Sequence, residues 1–410
     1  MQTKTSARAA LAAAAVLALA LPACGSAGSA SSGGGSSDPI VLGTTLPLTG
    51  SLGVFGPALQ AGYQQAVADI NAAGGVDVGG TKRPLKLVVK DSKSDPTVVT
   101  STAKSLINDD KAVALLGSVT PPLTIPFSVV ADSEQIPAIS ALTPTLAWKA
   151  ASQSGWKYAY DVFVDETQQT QVNFKASDLV ATNKKVALFT DTEEDGKAMG
   201  ALWEQQAPQF GYTVVYRAQF PVGTTDFSQF VQKAKDAQAD VMIAQVIPPD
   251  AAALWKQMKA LGYAPKTAWP EKGGTMGFPQ AAGPLAEGAT VFGWWSPTNG
   301  NVGGQKVYDA NKATFGDGLG AQGVVASYAM VQVMADAIHR AGSTDPDKIN
   351  HALAATKDLN TVWAKITIGP DHRAVITPTA VQWQGNQQVT VWPKDQATGT
   401  FEAPAPGLAK

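Results

Sequence analysis

The sequence predicts an α/β protein built from two doubly wound parallel-sheet lobes. Short apolar strands alternate with amphipathic helices in two consecutive series, which is typical of right-handed βαβ units. The strand at 112–116 is apolar throughout, as expected in a parallel sheet that helices cover on both faces. The chain has 410 residues, of which 45% are hydrophobic and 16% charged. This is enough for two cores of ordinary size.

The first 37 residues predict an export signal, a lipid anchor and a tether. Lys4 and Arg8 precede an uncharged apolar run at 9–21, which is typical of a secretory signal peptide over residues 1–23. The run leads into Leu-Pro-Ala-Cys, which resembles a bacterial lipobox whose cysteine, here Cys24, becomes the lipidated N-terminus. Residues 24–37 are almost entirely Gly, Ser and Ala after that cysteine, and we expect a flexible tether there.

The stretch 40–75 predicts a strand, a glycine-rich loop and a helix. The β-rich run 40–45 enters the loop, and apolar side chains then recur at helical spacing from Leu59 to Ile70. In an open α/β sheet, ligands bind beyond the carboxyl ends of the strands. Phe55, which lies in this loop, is therefore a candidate ligand contact.

The first alternating series continues to about residue 163. Asp95 and Pro96 supply the N-cap and first-turn proline of a helix. The predicted elements are a hairpin at 76–83, strand 85–89, helix 96–109, strand 112–116, helix 124–133, strand 136–140 and strand 158–163.

A second series of the same design follows. Its predicted elements are helix 167–182, strand 186–190, helix 196–210, strand 213–220, helix 227–237, strand 241–244, helix 249–261 and strand 267–269. Beyond residue 288, the pattern predicts a long helix at 324–340 and apolar strands at 365–368, 380–383 and 389–392.

Three motifs near the start resemble a known family. PLTG at 47–50, FG at 55–56 and INAAGG at 70–75 are similar to the opening of type I periplasmic binding proteins of the branched-chain amino acid class. The resemblance extends with interruptions to about Pro393. It implies two lobes joined by a three-strand hinge, with residues 288 onward returning to the first lobe.

The resemblance also implies a division of the chain into lobes. Lobe 1 would contain residues 38–160 and 288–370, and lobe 2 residues 161–287 and 371–400.

Composition and motifs argue against an enzyme and against a nucleic-acid binder. The net charge is −2, without the basic face that nucleic acid requires. None of His339, His351 and His372 has a second ligand at metal spacing, so we expect no metal, no cofactor and no catalytic residue. The G-x-G-x-x-G pattern at 318–323 follows a predicted helix rather than a strand, which excludes the dinucleotide-binding context.

In the resembled family, the ligand's α-carboxylate and α-ammonium are held between the lobes. Lobe 1 would contribute Ser118 and Thr120 after its third strand and Thr143 after its fourth. Pro121 and Pro122 remove two N–H donors from the first of these loops. This change leaves an aromatic acid, an amide or a urea-like solute as the alternative to an amino acid.

Lobe 2 would contribute acidic residues. The sequence DTEEDGK at 191–197 resembles the family's DDSAYGKG with Asp195 in place of tyrosine; Asp195 is either a ligand contact or an acid that stabilises a helix start. Glu271 lies in a turn that resembles the family's GPEG, whose glutamate pairs with the ligand ammonium; the alternative is a solvated acid paired with Lys272. Trp269, on the same turn, is a candidate wall residue.

Other aromatic side chains on or near predicted inter-lobe loops could form part of the same wall; they are Trp148, Trp294 and Trp295.

The expected function is capture of a small solute, an amino acid or derivative, for an ABC importer. The expected partners are that solute, a membrane permease and the membrane itself through the lipid on Cys24, with the protein a monomer that binds no nucleic acid. A sensory module for a receptor partner, with the same fold, is the rival hypothesis. A lipid-anchored enzyme is a second rival, although no nucleophile–base pair is apparent.

Overall fold

The computed structural model describes residues 38–274, 277–295, 303–318 and 320–409. The predicted signal peptide, Cys24 and the tether lie outside these residues. No helix within the described ranges combines the length and the apolarity that crossing a membrane requires.

Strands and helices alternate along most of the described chain. The strands are β1 (Ile40–Leu46), β2 (Val76–Val78), β3 (Thr81–Arg83), β4 (Leu85–Asp91), β5 (Ala114–Leu116), β6 (Ala138–Ala141), β7 (Ala159–Phe163), β8 (Lys185–Asp191), β9 (Thr213–Phe220), β10 (Val241–Gln245), β11 (Thr267–Trp269), β12 (Thr290–Gly293), β13 (Leu359–Asn360), β14 (Lys365–Ile366), β15 (Arg373–Val375), β16 (Thr379–Gln384) and β17 (Gln387–Trp392).

The helices are α1 (Gly56–Ala72), α2 (Pro96–Asn108), α3 (Pro121–Glu134), α4 (Thr145–Ala150), α5 (Glu166–Ser177), α6 (Glu194–Gln206), α7 (Ser228–Asp236), α8 (Pro248–Ala260), α9 (Glu271–Gly274), α10 (Phe278–Ala282), α11 (Gly304–Phe315), α12 (Ala321–Ala341), α13 (Pro346–Ala354) and α14 (Pro406–Ala409). Two short 3-10 helices cover Ala207–Phe210 and Gly283–Ala286.

The first sheet is parallel and has the order β15-β7-β6-β5-β1-β4. The chain starts in β1 near one edge, moves outward to β4, and then returns past β1 to β5, β6 and β7. This reversal of direction beside β1 is the topological switch point of a doubly wound sheet. The strand at 112–116 that the sequence predicts as wholly buried corresponds to β5, whose three residues are all buried.

The second sheet is also parallel, with the order β11-β10-β8-β9. It repeats the design of the first sheet, since the chain moves from β8 to β9 at the edge and then back to β10 and β11. The prediction of two doubly wound α/β lobes is therefore confirmed.

A third, antiparallel sheet has the order β12-β16-β17. The chain passes between the two parallel sheets after β7, again in the region of β12, and finally between β15 and β16. Residues 373–375, which the predicted division assigns to lobe 2, form β15 and pair with β7 in the first sheet. The strand predicted at 365–368 is shorter and forms the β13–β14 hairpin instead of a crossing strand.

The long helix α12 packs against α1 on one face of the first sheet. Its buried side chains, which include Val324, Met330 and Ile338, belong to the same core cluster as Leu59 and Tyr63 of α1. Gly62 makes the close approach possible, because a Cβ there would lie 2.0 Å from the Ser327 Oγ and 2.4 Å from the Val324 carbonyl oxygen.

Polar side chains join the lobes where the chain leaves β7. Glu166, at the start of α5, accepts hydrogen bonds from the backbone N–H groups of Leu146 (2.7 Å) and Ala147 (2.9 Å), which lie in the first turn of α4. Arg373 of β15 contacts Asp165, with 3.2 Å between Nη1 and Oδ2. These contacts tie the beginning of the second lobe to the edge of the first sheet.

Candidate functional site

A small cavity lies between the two parallel sheets. The centre of a water molecule can reach about 40 Å³ of it, and the total space between the surrounding atoms is about 460 Å³. It is lined by Phe55, Val119, Thr120, Pro121, Leu142, Pro144, Phe163, Gln169, Asp195, Gln245, Lys272, Phe292 and Trp294.

The cavity is built at the carboxyl ends of the strands beside both switch points. In the first lobe, Phe55 follows β1, Thr120 follows β5 and Leu142 follows β6; in the second, Gln245 ends β10 and Lys272 follows β11. Loops at this edge of a doubly wound sheet are where ligands bind, because the chain diverges there and leaves a crevice.

Two wall residues hold strained backbone conformations. Thr120 has φ +62° and Leu142 has φ +64°, values that non-glycine residues adopt at a cost and that persist where the surrounding structure imposes them. The two residues follow neighbouring strands, β5 and β6. The backbone strain is therefore concentrated on the first-lobe side of the cavity.

A buried ion-pair cluster forms the second-lobe side. The Lys272 Nζ lies 2.7 Å from Asp195 Oδ2 and 3.7 Å from Asp191 Oδ2, and the Gln245 amide Nε2 donates to Asp195 Oδ2 over 3.3 Å. Although burial alone would lower the pKa of Lys272, Asp195 and Asp191 raise it above its usual value. Burial raises the pKa of Asp191 to about 6, against the opposing charge of Lys272.

The pKa of Asp195 shifts in the opposite direction to that of Asp191. Burial alone would raise the pKa of this carboxyl, but the charge of Lys272 and the hydrogen bonds from Lys272 and Gln245 hold it below its usual value. Asp195 and Lys272 are therefore both charged at neutral pH.

Glu271 lies next to Lys272 in sequence but is held behind the cavity wall. Its side chain is fully buried and accepts hydrogen bonds from Asn173 Nδ2, from Gln169 Nε2 over 3.3 Å and from the backbone N–H of Phe292 over 3.4 Å. Burial raises the pKa of Glu271 to about 7. Its contact with Gln169, a wall residue, links it indirectly to the cavity.

The structure brings together three of the seven predicted site residues at the cavity wall: Phe55, Thr120 and Asp195. The predicted interpretation of Glu271 as a solvated acid paired with Lys272 is wrong, because Glu271 is buried and Lys272 pairs with Asp195 and Asp191. Glu271 itself lies outside the wall.

The other predicted site residues lie near the wall without lining it. Ser118 is fully buried and its hydroxyl has no hydrogen-bond partner among the described residues. Thr143 is also buried, and its hydroxyl is 2.7 Å from that of Thr124. Trp269, the last residue of β11, is in the second-lobe core, where its Nε1 donates to Ser177 Oγ over 3.1 Å.

Aromatic rings form the rest of the wall. Phe163, Phe292 and Trp294 make a cluster with ring centroids 5.5–5.9 Å apart. Of the other predicted aromatic wall residues, Trp148 is in the first-lobe core with its Nε1 bonded to Ser128 Oγ at 2.8 Å, and Trp295 packs on Tyr308.

Sequence reasoning missed three polar wall residues: Gln169, Gln245 and Lys272. Gln245 had a usable signal, since it is a polar residue at the carboxyl end of an otherwise apolar strand. Gln169 had none, because a glutamine on the first turns of α5 looks like an ordinary solvated residue.

A wider groove opens beside the cavity. The centre of a water molecule can reach about 780 Å³ of this groove, which shares Pro121 with the cavity wall. Prolines 122 and 126 of α3 line one side, while Glu193 and Glu194 at the start of α6 line the other. The groove therefore lies between the two lobes, next to the cavity.

Among the described residues, no group of three His, Cys, Asp or Glu side chains could hold a metal ion. The G-x-G-x-x-G pattern is preceded by the helix α11, which confirms the prediction that no strand leads into it.

Comparisons with known proteins agree with this architecture. A family model described as periplasmic binding protein matches residues 39–388. An "Amino acid binding protein" of Pseudomonas aeruginosa is 30% identical over 54% of this chain and 58% of its own length. The "Leucine-, isoleucine-, valine-, threonine-, and alanine-binding protein" of the same organism is 26% identical over 78% of this chain and 83% of its own length.

A solved structure is similar in fold. The branched-chain amino acid transporter substrate-binding protein of Streptococcus pneumoniae, crystallised with isoleucine, has a TM-score of 0.74 at 24% identity. The match covers 86% of this chain and 100% of that one.

Proposed function

Because the chain belongs to the periplasmic binding protein family, we propose that it captures a small solute between its two lobes and delivers it to an ABC importer. One observation carries this proposal: the cavity lies where the carboxyl ends of two parallel sheets face each other. The relatives that share the fold are binding proteins rather than enzymes. The cavity wall contains an ion pair and hydrogen-bonding side chains, and its described residues include no nucleophile–base arrangement.

The proposed solute is an amino acid or a derivative of one. The names of the relatives support this class, since they bind amino acids. In this chain Phe55, Thr120 and Asp195 would contact the solute, and Ser118, Thr143, Trp269 and Glu271 would support the wall from behind.

Delivery would depend on hinge motion between the lobes. Three passages of the chain between the parallel sheets would let the lobes rotate while staying joined, as in other hinged binding proteins. Closure would bury the solute, and opening would release it through the groove between α3 and α6 to a membrane permease.

We propose in addition that the protein is held at the extracytoplasmic face of the membrane by a lipid on Cys24. The sequence before the cysteine supports this proposal, and the tether that follows would keep the protein near its permease and raise its effective concentration there. A Cys24→Ser variant should lose incorporation of labelled palmitate in a bacterial host; retained label would contradict the anchor.

A thermal-shift screen tests the solute-binding proposal. The purified protein is heated with each of a panel of amino acids, amino acid amides, aromatic acids and sugars. A solute at about 100 times its Kd should stabilise the protein by about 2.7 kcal/mol, and at least one amino acid or derivative should do so. Stabilisation by sugars alone would contradict the solute class, and no stabilisation by any compound would contradict solute capture.

A further inference from the structure

The cavity wall contains a hydrogen-bond acceptor whose orientation is fixed by its neighbour. The Gln245 Nε2 donates to the Asp195 carboxylate over 3.3 Å. Because a carboxylate can only accept, the amide nitrogen must point toward Asp195 and the Oε1 must point elsewhere. That Oε1 is buried and has no partner among the described residues.

The wall also contains a buried hydrogen-bond donor that has no partner among the described residues. Trp294 is 2% exposed, and its indole Nε1, which can only donate, is buried without a described partner. The hydroxyl of Thr120, which can donate or accept, is a third buried and unpaired polar atom of the wall. Buried polar atoms are paired in nearly all folded proteins, so a group of three around one cavity indicates a polar ligand.

The charged groups of the wall, in contrast, are already paired with each other. Asp195 and Lys272 are the charged residues among the described wall residues, and they neutralise each other over 2.7 Å. Asp191, 3.7 Å from Lys272, adds a second carboxylate, so the cluster carries net negative charge. Glu271 behind the wall already accepts three hydrogen bonds.

An anionic ligand group would therefore meet no unpaired opposite charge on the wall, and a cationic one would meet only Asp195, because Asp191 does not line the cavity. A carboxylate would face a cluster of net negative charge, and an ammonium would have to compete with Lys272 for Asp195. Burying a charge without its own partner is unfavourable. A neutral group that both donates and accepts would instead pair with atoms that have no partner.

We propose that the solute carries a neutral amide-type head: its carbonyl accepts from Trp294 Nε1 and its N–H donates to Gln245 Oε1. This inference rests on the proposed function and narrows its solute class to derivatives that carry neither the α-ammonium nor the α-carboxylate of a free amino acid. Apart from Gln169, which donates to Glu271, the remaining wall is apolar, with Phe55, Leu142 and the ring cluster of Phe163 and Phe292. The body of the solute is accordingly a small aromatic or branched apolar group.

A matched ligand series separates the head groups. Phenylacetamide, phenylacetate, 2-phenylethylamine and L-phenylalanine share one ring and differ in charge, and their Kd values are measured by calorimetry at pH 7 and constant salt. Phenylacetamide should bind at least about 10-fold more tightly than the other three, since an ionic head lacks its counter-charge. Tighter binding of L-phenylalanine or phenylacetate would overturn the amide head while leaving solute capture intact.

Failure of the two proposals can be distinguished by adding L-leucine and L-isoleucine to the series. Binding of these amino acids without binding of phenylacetamide would overturn only the amide head. No binding of any compound would contradict both the head group and the amino acid-type solute.

Conservative variants with matched controls test the two named atoms. Trp294→Phe keeps an aromatic ring and removes the N–H donor, and Gln245→Leu keeps the approximate size and removes the acceptor together with the Nε2 donor to Asp195. Each should weaken phenylacetamide binding about 10-fold or more, because the ligand atom is left buried without a partner.

The controls lose the same kind of buried, unpaired atom outside the cavity wall. Trp295→Phe matches the tryptophan variant, as Trp295 is 2% exposed with an unpaired Nε1. Gln206→Leu matches the glutamine variant, as Gln206 is 4% exposed with an unpaired Oε1. Both control variants should bind phenylacetamide with a Kd within about twofold of the wild-type value. If the wall variants and their controls weakened binding equally, the assignment of Trp294 and Gln245 as ligand contacts would be overturned.

Discussion

Removing Lys272 should destabilise the protein strongly and in a pH-dependent manner. Its side chain is 15% exposed and contacts two carboxylates that are 5% exposed or less. A Lys272→Met variant keeps the approximate side-chain length but leaves Asp195 and Asp191 uncompensated. Breaking a buried pair in this way costs about 3–5 kcal/mol. With an unfolding entropy of about 2.1 cal/mol/K per residue, this is a decrease in Tm of roughly 4–6 °C.

The pH dependence follows from the two carboxyls. Without Lys272, the folded-state pKa values of Asp191 and Asp195 both rise, so the folded variant is penalised where they are ionised and is relieved as they take up protons. The stability difference between wild type and variant should thus be largest above pH 7 and shrink as the pH falls below about 6, the value to which the pKa of Asp191 is already raised.

Calorimetric unfolding from pH 4.5 to 8 measures this difference. Lys104→Met is the control, because Lys104 is 52% exposed and 3.8 Å from Glu134, which is 31% exposed, and such exposed pairs contribute less than about 1 kcal/mol. If Lys272→Met lowered Tm no more than the control, or by the same amount at every pH, the reasoning about a buried, compensated cluster would be refuted.

Three further predictions concern stability. Burial raises the pKa of Glu271 to about 7, so its contribution to the free energy of unfolding is complete below about pH 4 and is lost as the pH rises through 7. Glu271→Gln should flatten this fall in stability when urea unfolding is measured between pH 5 and 8. An unchanged dependence of stability on pH would contradict the prediction. Burial raises the pKa of Asp161 well above its usual range, against the opposing charge of Arg373. The wild type should therefore lose stability as the pH rises above about 4, the pKa of an aspartate in an unfolded chain. The advantage of Asp161→Asn in urea unfolding should grow from pH 4.5 to pH 8, and a difference that does not grow with pH would count against it. Gly62→Ala should lower the unfolding free energy by about 2 kcal/mol or more through overpacking between α1 and α12, while the exposed Ala68→Ser should change it by less than about 0.5 kcal/mol.

The layered architecture could be predicted from the sequence because it depends on periodicity and burial. The predicted strand at 213–220 has the same bounds as β9, and the predicted helix at 324–340 lies within α12. Both segments have long, regular patterns that local sequence defines. The hairpin at β13–β14 differs from the predicted crossing strand because two or three apolar residues cannot specify which strand they pair with.

The cavity was harder to predict, because side-chain direction depends on single backbone angles. Glu271 has φ +21° and enters the short helix α9 with its carboxylate turned toward Asn173, while Lys272 reaches the cavity. The resemblance to the family placed Glu271 against the ligand instead. Thr143 shows a similar limit, since its hydroxyl is already bonded to Thr124, a residue on another element that spacing does not reveal.

The choice between two interpretations of Asp195 also required the fold. As a residue in the first turn of α6 it is favoured by the helix dipole, and it also lines the cavity and pairs with Lys272. The two interpretations are compatible, because the helix start faces the crevice.

A crystal structure with the most stabilising compound of the thermal-shift screen tests the central claim most directly. We expect electron density for that solute between the lobes, in contact with Thr120, Gln245 and Trp294. Density at another surface, with this cavity unchanged and the wall atoms still unpaired, would contradict the claim that the two lobes enclose the solute.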